Sequence, residues 1–172
     1  TATDRHIASP PPARWGFFMS SCARAMLGIM RPQFTPEALR AVAAVLPVMV
    51  DPAFRFTDGL PPAVVLPDGG VQMRGYAYDP QVARLVRTLD EFGWVYGDER
   101  FQWPQWARSP EARALRDDPA VLARATPAQL ARLLTVFARQ ERFNDGARLG
   151  FWESGLLLGI LRRAAALADA AG

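Results

Sequence analysis

Capping residues set directly before prolines cut this chain into segments at defined points. Thr35-Pro36-Glu37, Asp79-Pro80, Ser109-Pro110-Glu111 and Thr126-Pro127 each place a hydroxyl or carboxylate ahead of a proline. Proline has no N–H to donate, so the first helical position is where it costs least. The residue before it can accept a bond from the orphan N–H groups of the first turn. A helix is therefore stopped from running through these points and encouraged to start at them. The spacing predicts a first helix from Thr35 to about Leu46, ending before Pro47. A second starts at Asp79-Pro80, with Val82, Leu85, Val86, Leu89 and Phe92 at helical spacing and Gly93 closing it. Ser109-Pro110-Glu111 opens a short helix that stops near Asp117-Asp118-Pro119, followed by a single turn over Ala120 to Arg124. Thr126 and Gln129 form a capping box for a helix to Arg142, and Asn144-Asp145-Gly146 turns the chain into a final helix to about Leu167.

Between the first two helices, Ala63 to Leu66 and Val71 to Tyr78 flank Pro67-Asp68-Gly69-Gly70. Asp and Gly tolerate the positive φ angles of a tight turn, so this stretch predicts a β-hairpin. The expected fold class is α+β: a mainly helical single domain with a small antiparallel β-hairpin packed against it and a C-terminal helical hairpin. At 172 residues the chain has room for one domain with a real core. The expected boundaries are a flexible leader over 1–34, the domain over 35–168 and a tail over 169–172.

Composition narrows the chemistry. There is no lysine, and the single histidine and cysteine, His6 and Cys22, both lie in the leader. A Ser-His-Asp or Cys-His site needs an imidazole base, a Walker-type loop needs its Lys, and zinc sites are usually built from His and Cys. Carboxylates, Tyr, Ser/Thr and Arg are what remain. No cofactor is expected. One cysteine also rules out an internal disulfide framework and fits a reducing cytoplasm.

The sequence pI near 9.7 invites a nucleic-acid reading, but the charge map weakens it. From Thr35 onward 16 Arg stand against 16 acidic residues, so the surplus lies in the leader with Arg5, Arg14, Arg24 and Arg31. Nucleic-acid binding through that leader is one alternative, whereas bulk charge does not argue for it in the body. The leader's Trp15 to Met30 stretch is also short of the ~18 apolar residues a membrane span requires.

Candidate site residues cluster at the C-terminal end. On a helical projection Leu149, Leu156, Leu157, Ile160 and Ala164 share one arc, with Glu153 in its middle. Leu130, Leu134, Phe137 and Ala138 form the stripe of the preceding helix, with Glu141 on the same side. A buried unpaired carboxylate costs several kcal/mol, about enough to demand a partner or an opening. Pairing with Arg139, Arg142 or Arg163 is the structural expectation. The functional ones are a polar notch of Arg139, Arg142, Asp145 and Glu153 that binds a partner, or a metal-dependent hydrolase or nuclease site of Glu141, Asp145 and Glu153.

A second candidate is the aromatic stretch Phe92, Trp94, Tyr96, Phe101, Trp103 and Trp106, interleaved with Asp98, Glu99 and Arg100. It is either a stacking surface, led by Trp103 and Trp106, or a satellite core beneath a long connection. Gly155 and Gly159, with the apolar strip of Phe151 and Leu158, allow close packing against the hairpin or a second subunit.

The run Arg142-Phe143-Asn144-Asp145-Gly146, then Phe151-Trp152-Glu153-Ser154-Gly155-Leu156 and Ile160-Leu161-Arg162-Arg163, resembles the C-terminal signature of a bacterial family of unknown function. Phe101-Gln102-Trp103-Pro104-Gln105-Trp106 resembles an aromatic stretch of the same family, which has an acid where Gln102 stands. Trp152 also interrupts the family's Phe-Glu pair. The similarity spans roughly residues 36 to 167 and implies a fold rather than an activity. The expectation is thus a non-enzymatic interaction or accessory module, with a protein partner or a second copy of itself.

Overall fold

The computed structural model describes residues 34–72, 75–97 and 101–171. Residues 1–33 of the leader, with His6, Cys22 and its four arginines, lie outside the described residues, as do Asp98, Glu99 and Arg100.

Each anticipated cap is made. Thr35 accepts from the Ala38 N–H and opens α1 (Pro36–Ala43). Asp79 accepts from Gln81 N–H and opens α3 (Pro80–Glu91), whose Val82, Leu85 and Leu89 are buried. Between them lie the single-turn α2 (Leu46–Met49) and a two-stranded hairpin. Pro47 does not follow a long first helix as expected. It sits in the first turn of α2, after α1 has ended at Ala43. The chain continues through α4 (Trp103–Trp106), α5 (Pro110–Asp117) capped by Ser109, and α6 (Pro119–Leu122) capped by Asp118. Thr126 and Gln129 complete both bonds of the capping box at the head of α7 (Pro127–Gln140).

The hairpin is smaller than its apolar run suggests. β1 (Val64–Val65) pairs antiparallel with β2 (Val71–Gln72), Val64 opposite Gln72 and Val65 opposite Val71. Val65, Leu66 and Val71 are exposed, so the tip projects into solvent instead of packing onto the helices. Its base is what is anchored. Thr57 and Tyr78 form an isolated bridge, and Phe56 stacks on Trp152 with ring centroids 5.1 Å apart.

The largest correction concerns the C-terminus. The final helix is two, α8 (Ala147–Glu153) and α9 (Leu156–Ala170), parted at Ser154-Gly155, where Gly155 takes φ 74°. A single helical projection cannot be carried across such a break. The arc therefore holds for Leu156, Leu157, Ile160 and Ala164, all buried, but fails for Glu153, which is exposed. α9 lies along α1 and also meets α2, α6, α7 and α8, making it the centre of the core. Gly159 belongs to that packing: a Cβ there would come within 2.5 Å of Leu122 on α6. α7 is buried on nearly all sides, from Leu130 and Ala131 through Val136 and Phe137.

Candidate functional site

An arginine-lined cleft opens where the aromatic connection meets the turn after α7. Its volume is about 590 Å³, and Trp103, Arg108, Arg113, Arg116, Gln140, Phe143 and Asn144 form its walls with Pro104 and Ala107. The Trp103 and Phe143 rings lie 6.1 Å apart at 31°, and Phe143 is 78% exposed. An exposed aromatic on a turn buries little in the fold itself, so its apolar face is available to a ligand. On the opposite side, α5 buries Ala112 and Leu115 and leaves Arg113 and Arg116, three residues apart, exposed. The Arg116 guanidinium is fixed by a 2.6 Å bond to the Ala107 carbonyl. The Arg108 and Arg113 guanidiniums make no hydrogen bond or ion pair among the described residues, and none of the described lining residues is a carboxylate.

A second cavity of about 350 Å³ adjoins the first and shares Arg116, Gln140 and Asn144 with it. Its floor is apolar, from Leu133, Val136, Phe151 and Leu156, with Trp106 and Gly150 at its walls. Trp106 is held there by a polar network. Glu111 accepts from its indole N–H at 2.8 Å, from the Gln129 amide at 3.0 Å and from Arg132 at 3.0 Å. These bonds, the indole's above all, outweigh burial and hold the Glu111 carboxyl below the usual carboxylate range. The indole N–H of Trp106 is therefore spent on the fold. Trp94 is a core residue, 1% exposed, and the Tyr96, Phe101 and Trp106 rings of the connection pack in series at tilted angles.

The turn between α7 and α8 is built around Glu141. Its Oε1 accepts from the Tyr78 hydroxyl at 2.6 Å and the Gly146 N–H at 3.1 Å, and its Oε2 from the Arg148 N–H at 2.9 Å. A carboxylate here satisfies orphan donors at the N-terminal end of α8. Burial raises its proton affinity, but the hydrogen bonds and the Arg148 charge win, and Glu141 titrates below the ordinary range. Tyr78 shifts the other way: burial, then the bond to the Glu141 carboxylate, push its phenol well above the usual tyrosine value. The Arg148 guanidinium completes the knot, lying over the Tyr78 and Phe137 rings at 5.8 and 5.7 Å.

Several sequence candidates land apart. Glu141 takes its hydrogen bonds from Tyr78 and backbone N–H groups, while Arg163 donates instead to the Ala125 carbonyl and Arg142 is exposed. Arg139 is half-buried on α7, and Asp145 is exposed beside Gly75. Glu153 is exposed at the end of α8. Glu141, Asp145 and Glu153 are not brought together, and among the described residues no three His, Cys, Asp or Glu side chains are grouped as metal ligands. Trp103 and Trp106 do reach the clefts, one in each. The residues missed are Arg108, Arg113 and Arg116, together with Tyr78 and Arg148. The arginine pair on α5 had a signal, since its i, i+3 spacing puts both guanidiniums on one side of the helix. Tyr78 had none.

Fold and site define a mainly helical α+β domain with a two-stranded hairpin and a basic, aromatic cleft on its surface. The chain belongs to the family of unknown function DUF6508, whose profile matches residues 34–170. No curated protein and no solved structure matches it. No helix among the described residues is long and apolar enough to cross a membrane.

Proposed function

We propose that this domain is a non-enzymatic interaction module that captures an anionic partner at the Trp103–Phe143 cleft, acting in the cytoplasm. The observation that carries the reading is the wall itself: three guanidiniums and two aromatic faces, with no carboxylate among the described lining residues. From Thr35 onward acidic and basic residues balance, so this is a local concentration of charge rather than a consequence of bulk composition. Guanidinium groups bind carboxylates and phosphates in bidentate fashion, and an open cleft lined by one sign of charge concentrates such ligands. None of the three arginines has an ionic partner among the described residues, so binding need not break an existing ion pair. Within the lining set no imidazole or carboxylate is positioned as a general base, which supports capture over turnover.

The test is fluorescence anisotropy of a labelled poly-glutamate peptide on the full chain. Arg113→Glu/Arg116→Glu should weaken binding by about tenfold or more, and added salt should weaken it further. Arg84→Glu/Arg87→Glu changes charge equally at two exposed positions of α3 with the same spacing, and should change affinity much less. Equal losses in both variants would refute the cleft as the site.

A further inference from the structure

We infer that the ligand of the continuous groove is a short acidic peptide segment carrying an apolar anchor residue, an inference that rests on the anion-binding reading of the cleft. The two cavities share Arg116, Gln140 and Asn144, so a ligand in one meets the edge of the other. One end of the groove is basic, with Arg108 and Arg113 beside Arg116. The other has a floor of Leu133, Val136, Phe151 and Leu156. A small inorganic anion would satisfy only the first end. A peptide with flanking Asp or Glu residues and one leucine satisfies both, placing carboxylates on the guanidiniums and the side chain on the apolar floor.

The junction suits a peptide backbone as well. The Gln140 and Asn144 amides each offer a donor and an acceptor, which matches the alternating N–H and C=O groups of an extended chain. A phosphate or carboxylate accepts only and would leave their oxygens unused. Trp106, fixed by Glu111 at one wall, gives the anchor a rigid aromatic side to pack against.

Gly150 offers a way to close the apolar end without disturbing the fold. It lies within α8 and lines the second cavity, and a Cβ there would meet nothing within 4 Å. Gly150→Leu therefore adds bulk at that cavity while improving helix propensity.

The experiment compares two labelled peptides on the full chain: a short Glu/Asp peptide with one central leucine, and the same peptide with serine at that place. The leucine peptide should bind wild type about tenfold tighter or more, the advantage expected from burying one aliphatic side chain. Gly150→Leu should reduce that advantage to about twofold while leaving the serine peptide's affinity unchanged. Arg113→Glu/Arg116→Glu should weaken both peptides. Equal binding of the two peptides to wild type, with both still weakened by arginine reversal, overturns the anchor and leaves the anion site standing. No response of either peptide to arginine reversal overturns both. Circular dichroism of each variant confirms that folding is intact.

Discussion

Replacing Glu141 by alanine should destabilise the domain by about 2–4 kcal/mol, because one side chain serves three donors across two parts of the fold. Two of those donors are the Gly146 and Arg148 N–H groups at the start of α8, at 3.1 and 2.9 Å. Losing a carboxylate acceptor at a helix start costs about 0.5–2 kcal/mol. The third is the Tyr78 hydroxyl at 2.6 Å, which ties the base of the hairpin to the turn after α7. A hydrogen bond to a charged group contributes about 1.5–3 kcal/mol, and the half-buried setting of this one favours the lower end. Tyr78→Phe removes only that bond and leaves the carboxylate its two backbone donors, so about 1.5 kcal/mol is expected. In the double variant the losses overlap, and the total should fall short of the sum by about 1 kcal/mol. Urea unfolding followed by circular dichroism measures all three, provided the m-values agree with wild type. A Glu141→Ala cost below about 0.5 kcal/mol, the range of ordinary surface substitutions, would refute the reasoning. So would strict additivity of the two changes.

The same knot predicts the pH dependence. Glu141 and Glu111 titrate lower when folded than when unfolded, so on acidification the unfolded chain takes up protons first. Their contribution is present above the unfolded glutamate pKa of about 4.3 and is lost as pH falls through the folded values, so wild type and Glu141→Gln should converge in stability on acidification below that pH. Tyr78 is raised, so its contribution is intact below the unfolded tyrosine pKa of about 10 and declines as pH rises beyond it, a loss that Tyr78→Phe should lack. Gly146 has φ 84°, and a Cβ there would stand 2.7 Å from the Tyr76 ring; Gly146→Ala should cost about 2–4 kcal/mol in urea unfolding. Gly150→Ala, in open space within the same helix, should instead stabilise by about 0.5–1 kcal/mol. Phe143→Ala should leave thermal unfolding within about 0.5 kcal/mol of wild type while weakening poly-glutamate binding, and an unchanged affinity would remove Phe143 from the site.

The elements legible in advance are those whose causes lie within four residues of one another. Thr35, Asp79, Ser109 and Thr126 each cap a helix through a bond to a residue two or three places on. The buried face of α3 follows from periodicity in the same way, whereas α7 is buried well beyond its stripe of Leu130, Leu134 and Phe137. The C-terminal break is not legible in the pattern, because Leu149 and Leu156 keep helical phase by spacing alone while Gly155 at φ 74° redirects the chain between them. That one residue moved Glu153 from the expected core face to solvent.

The cleft and the Glu141 knot were beyond reach for a different reason. Tyr78 and Glu141 are 63 residues apart, and their bond exists only because the hairpin base is packed against α8 through Phe56 and Trp152. Likewise Arg113 gains meaning only when α5 is laid opposite the turn that carries Phe143. Sequence by itself determined where the proline-capped helices α1, α3, α5 and α7 begin, which face α3 buries, and that imidazole, thiol and amine chemistry is missing from the body of the chain. Only tertiary structure decided which charges meet, because chain path, not local propensity, brings distant residues within hydrogen-bond range.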